Sequence, residues 1–103
     1  MNDQVPVVQM PESDEIRMTL LGVDSSVALA RELVRYALLN WGYGRDLIDD
    51  STVVMSEIVT NAIEAARGHL LRIRVALDNG APVLECWDPS PELPAHPQPA
   101  STP

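Results

Sequence analysis

Glu57 and Asn61 stand four residues apart in the stretch SEIVTNAIEAARG, residues 56–68, and Asp88 follows an apolar run just ahead of Pro89. Four residues make about one helical turn, so Glu57 and Asn61 stack on one side of a helix. Ala65 continues their row, and its small side chain leaves room above Asn61. Asparagine is a poor helix former because its amide competes for nearby backbone groups, so its place in a helix asks for a reason. An amide oxygen is a hard ligand for Mg2+ beside phosphate oxygens. One carboxylate can accept from an exocyclic amine, and a second can take a proton from an attacking hydroxyl. That is the chemistry of nucleotide binding with a metal. A plainer reading stands beside it. The pattern E-x-x-x-N recurs by chance, and a solvated Glu57, an Asn61 amide satisfying a loop and a turn-initiating Asp88 need no ligand.

The helix that carries Glu57 and Asn61 is expected to be capped by Asp46 and to run through Ala66, with Gly68 ending it. Asp49 and Asp50 lie in its early turns, where they favour the positive end of the dipole. Ile48, Met55, Ile58, Val59, Ala62 and Ala66 form a broad apolar face, so most of its length is to be buried against a sheet. Asp88 ends the segment LLRIRVALDNGAPVLECWD, which reads as a hairpin because Asn79-Gly80 is a preferred two-residue turn. With Asp78 opposite Ala81, Val75 faces Leu84, Arg74 faces Glu85, Ile73 faces Cys86, Arg72 faces Trp87 and Leu71 faces Asp88. Asp88 thus falls on the apolar face of the hairpin, where a carboxylate needs water or a specific hydrogen-bond donor. His69, after the helix-ending glycine, reads as structural or solvent-facing.

Upstream, IRMTLLG (16–22) alternates Ile16, Met18 and Leu20 with Arg17, Thr19 and Leu21, the pattern of a strand with one buried face. A first helix follows, with Asp24, Ser25 and Ser26 as candidate caps. Ala30, Leu33, Val34, Ala37, Leu38 and Trp41 recur along it at three- and four-residue steps, and Gly42 is placed to stop it in a left-handed conformation. The order strand, helix, helix, strand, strand predicts an α+β fold, a two-layer sandwich with both helices on one face of a mixed or antiparallel sheet. One domain over 16–88 is expected, between a disordered or extended arm (1–15) and a flexible tail (89–103) that holds six of the nine prolines.

The chain has 103 residues and a net charge of −8, and its seven basic residues are all arginine. A phosphate backbone is bound through a basic face, so direct nucleic-acid binding is not expected. Cys86 is the single cysteine, which leaves no intrachain disulfide. No apolar stretch approaches the roughly 20 residues of a membrane span, and no basic, apolar leader opens the sequence, so the expectation is a cytoplasmic protein.

SEIVTNAIEAARG resembles the N box of the GHKL ATP-binding fold shared by gyrase, histidine kinases and mismatch-repair ATPases. It is most similar to the bacterial anti-sigma-factor serine kinases, whose helix reads like E-L-V-T-N-A-V-x-H-A. ALARELVRYALLNWG looks like the first helix of that branch, and LECWDPSPELP like its first glycine box, with Asp followed by Ser-Pro. The likeness spans roughly residues 16–94. It implies ATP and Mg2+ as cofactors, with Asn61 as metal ligand, Glu57 as general base and Asp88 as acceptor for the adenine amine. It also implies a protein partner, a sigma factor or the antagonist of an anti-sigma factor.

Two departures qualify these implications. Ala65 stands where relatives often have His. No glycine follows Gly80, so the second glycine-rich box, whose backbone N–H groups hold phosphates, is missing and the fold looks truncated before it. The expectation is an ATP-binding regulatory protein with weak or lost serine/threonine kinase activity. The alternative is an ATP-independent interaction module acting on a sigma factor or its antagonist. An unpaired hairpin edge would invite strand addition or a homodimer. A third reading takes the chain as a fragment or shortened gene product without activity of its own.

Overall fold

Asn79 and Gly80 both adopt positive φ, 56° and 81°, as a two-residue type I′ turn requires. That turn joins β2 (Leu70–Asp78) to β3 (Ala81–Trp87). Because it fixes which residues face each other, the pairing runs from Asp78 opposite Ala81 to Arg72 opposite Trp87, the register expected from the sequence. β1 (Glu15–Leu21) lies antiparallel on the other side of β2, with Ile16 facing Val75 and Leu20 facing Leu71. The sheet is antiparallel throughout, in the order β1-β2-β3. These descriptions come from a computed structural model and cover residues 14–89. Most of the expected N-terminal arm and proline-rich tail lies outside the described residues.

Two helices cover one face. α1 (Ser26–Asn40) packs on β1 and β2, and α2 (Arg45–Ala65) on β3, with α1 and α2 against each other. The result is the two-layer α+β sandwich. Between the layers Val34, Leu38, Met55, Val59, Ile63, Leu71, Ile73 and Val75 are almost fully buried, and Ile58 and Leu84 pack at the margin. Cys86 belongs to the same layer, and burial pushes its thiol up to about 11. On the opposite face Arg74 bridges all three strands. Its Nη1 donates to Glu85 at 2.8 Å, and its Nε lies 3.3 Å from Glu15. Arg17, placed opposite Arg74 in the ladder, donates to Glu15 as well, and this bond first, with Arg74, holds the Glu15 carboxyl below its ordinary range.

The helix ends differ in part from the sequence expectation. α1 stops as expected, with Gly42 at φ 91° and Tyr43 N–H donating to the Leu38 carbonyl at 3.0 Å. At its start no side chain caps the helix; Ser26 instead turns its hydroxyl back to the Leu21 carbonyl at 2.6 Å, tying α1 to the end of β1. Asp46 is not the cap of α2. Gly44 is, at φ −85° and ψ 174°, and its carbonyl accepts from Ile48 at 3.1 Å, which leaves Asp46 in the first turn beside the positive helix end. The helix also closes one residue earlier than expected, with Ala66 as its C-cap.

The two helix–strand junctions at the other end of the molecule lock together. Gly22 N–H donates to the His69 carbonyl at 2.7 Å, Gly68 N–H to the Gly22 carbonyl at 3.0 Å, and His69 N–H to the Ala66 carbonyl at 3.0 Å. A β-carbon on Gly22 would sit 2.8 Å from the His69 carbonyl oxygen. Only glycine lets the two backbones approach so closely. This clamp fixes the backbone of His69, which bears directly on Asp88.

Candidate functional site

Met55 and Val59 mark the buried line of α2. At about 100° per residue Thr52 and Ile63 flank it on one side and Ser51 and Ala62 on the other, and all four are buried or half-buried. Residues turned farther from the line, Val53 and Thr60 on one side and Val54, Asn61 and Ala65 on the other, are exposed. α2 packs on β3, which among the described residues pairs on one side only.

Asn61 is turned about 140° from that line and is exposed. Glu57, also exposed, is displaced a further 40° or so toward solvent, because four residues advance the helix by slightly more than a turn. The pair therefore lies on the outward side of the helix, with Glu57 the more outward of the two. Neither side chain is part of the core, so packing does not account for either.

Asp88 follows β3 directly. It shares the helix-facing side of that strand with Leu84 and Cys86, and its side chain is only 10% exposed. One donor to this carboxylate is His69, whose Nδ1 lies 2.9 Å from Oδ2. Facing a carboxylate oxygen, Nδ1 carries the hydrogen. Since His69 follows the C-terminal end of α2, Asp88 lies at that end of the helix. Asn61 is five residues back from Ala66 and Glu57 nine, or about 8 Å and 14 Å along the axis. Asn61 and Asp88 thus lie toward the same end of α2, and Glu57 lies a turn beyond.

His69 is the residue that sequence reasoning left out of the site. The signal was present in the register: one step past Trp87 puts Asp88 opposite Leu71, and His69 is its diagonal neighbour on the same face. What the register could not supply is the Gly22 clamp that holds the histidine there.

A largely buried carboxylate can accept from a donor such as an amine, and an exposed amide oxygen about 8 Å back along the helix axis can ligate a divalent ion. Among the described residues no cluster of three or more His, Cys, Asp or Glu could hold a metal. An ion at Asn61 would take its remaining ligands from phosphate oxygens and water, the usual habit of Mg2+. A separate groove of about 460 Å³, lined by Arg35, Leu39, Tyr43, Arg45, Ile48 and Asp49, lies beside the α1–α2 connector at the other end of α2 and contains none of these residues.

The molecule is a two-layer α+β domain with α2 packed on an edge strand. The family model for the histidine kinase-like ATPase domain matches residues 23–103, and the chain belongs to that family. The match takes in both helices and the hairpin, with Glu57, Asn61 and Asp88 inside it. No curated protein matches the chain. Among the described residues no helix is long and apolar enough to cross a membrane.

Proposed function

We propose that the chain is an ATP-binding regulatory domain resembling the anti-sigma-factor serine/threonine kinases, with weak or lost catalysis. The observation that carries this reading is the Asp88 carboxylate, largely buried on the helix-facing side, at the same end of the molecule as the exposed Asn61 amide. In this reading Asp88 accepts from the adenine amine, Asn61 ligates Mg2+ and Glu57 is the general base. Bound Mg2+ would supply neutralisation of phosphate charge. Asp88 selects and orients the base, and Asn61 sets where the phosphates lie along α2. Glu57 reaches a hydroxyl only beyond the phosphates, because it is a turn farther from Asp88 and turned toward solvent.

The grip on the phosphates is the weak part. No glycine follows Gly80 in the 103 residues, so they lack a glycine-rich loop for the phosphates to rest on. Affinity for ATP is accordingly modest and turnover slow or absent. Titration of ATP into the chain by calorimetry, with and without Mg2+, tests this: Mg2+-dependent binding supports it, and no heat at millimolar nucleotide rejects it.

A second reading, an ATP-independent module that regulates a sigma factor or its antagonist by contact, draws on the outer surface. Leu29, Tyr36 and Leu39 are exposed along the outward face of α1, and β3 offers a strand edge. Under this reading Asn61→Ala leaves partner binding intact. The β3 edge also suits pairing with a second copy of the chain, which light scattering across a concentration series would reveal.

A further inference from the structure

His69 is held through both its backbone and its ring. Its carbonyl accepts from Gly22 and its N–H donates to Ala66, so the backbone cannot rotate, and its ring then meets Asp88 at 2.9 Å. The ring is 39% exposed and the carboxylate 10%. The histidine therefore holds one oxygen of a largely covered carboxylate. A covered carboxylate needs donors to remain oriented and desolvated at tolerable cost, and a hydrogen bond to an ionised acceptor is among the stronger ones.

We infer that His69 is the positioning residue for adenine recognition: by holding Oδ2, it fixes the plane and direction in which the Asp88 carboxylate meets the exocyclic amine of the base. The inference rests on the nucleotide-binding reading above and adds to it a residue that acts through Asp88 without touching the phosphates. His69 lies on the connector between α2 and β2, off the flank that carries Glu57 and Asn61. Its influence therefore falls on the base and not on the metal. A histidine that merely stabilised the junction would weaken all nucleotides alike.

The test compares ATP with purine riboside 5′-triphosphate, which has the same sugar and phosphates but no amine at the recognised position. Calorimetric titrations with Mg2+ use the full chain, its His69→Ala variant and its His69→Asn variant, each checked for cooperative unfolding. Asn is chosen because its side-chain amide nitrogen occupies nearly the position of Nδ1 and restores the donor. The full chain is expected to prefer ATP. His69→Ala should weaken ATP about tenfold, the order of one lost charge-assisted hydrogen bond, while leaving the analogue unchanged. His69→Asn should recover most of the preference. Equal weakening of both nucleotides, or no change in either, overturns the assignment of His69 while leaving ATP binding in place. Absence of binding by the unsubstituted chain overturns the nucleotide reading and the assignment with it.

Discussion

Replacing Gly22 by alanine introduces a single methyl group at the point where the two ends of the helical layer meet the sheet. The added carbon would lie 2.8 Å from the His69 carbonyl oxygen and 3.3 Å from that of Ala66. Both are backbone atoms, so no side chain can swing aside. Relief requires the β1–α1 and α2–β2 junctions to separate, stretching the 2.7 Å bond from Gly22 to His69 and the 3.0 Å bond from Gly68 to Gly22. Overpacking of this kind costs about 1–3 kcal/mol, and weakening two backbone hydrogen bonds adds roughly 1–2 kcal/mol. Alanine also reduces the freedom of the unfolded chain, which returns about 0.5 kcal/mol. A net loss of about 2–4 kcal/mol follows, to be measured by urea unfolding monitored through Trp41 and Trp87. Gly44→Ala is the control, because a methyl there meets open space and φ is −85°, so its effect should stay within about 1 kcal/mol. If Gly22→Ala were as mild as Gly44→Ala, the close approach that places His69 would not exist in solution.

Three further outcomes follow from the same geometry. Asn61→Ala should raise stability by about 0.5 kcal/mol in thermal unfolding, because an exposed asparagine in a helix interior gives way to a better helix former; a loss of stability would mean that the amide holds the fold together. Cys86 should resist thiol reagents in the folded chain at neutral pH and react on unfolding. Its raised thiol favours the fold below the ordinary thiol range, and that contribution should disappear as pH climbs from about 9 toward 11, read as a falling urea midpoint absent from Cys86→Ala. Tyr43→Phe removes the hydroxyl that donates to the Gly80 carbonyl and should cost about 0.5–1.5 kcal/mol, with hydrogen exchange quickening at the Asn79–Gly80 turn; unchanged exchange there would remove the connector as a restraint on the hairpin.

Elements whose residues specify their own geometry were legible in the sequence. Asn79-Gly80 admits few turns, and once its type is given the alternation of Leu71, Ile73 and Val75 leaves one register that buries them all. Gly42 marked the end of α1 for a similar local reason. The start of α2 was misread because Asp46 has the better capping side chain, yet the chain leaves the Gly42 turn extended at Gly44 and begins the helix there, before Asp46 can cap it. At the site, helical spacing put Glu57 and Asn61 on one flank, and the register put Asp88 on the helix-facing side. That His69 meets Asp88 depends on the Gly22 crossing, a contact between distant segments that leaves no local pattern.

The claim that matters most is that Asp88 and Asn61 serve one nucleotide. Calorimetric titration of ATP with Mg2+ into the chain, Asn61→Ala and Asp88→Asn tests it directly. The account predicts modest, Mg2+-dependent binding that either substitution abolishes while each variant still unfolds cooperatively. Binding that survives both substitutions, or no binding by the unsubstituted chain at millimolar ATP, would contradict it.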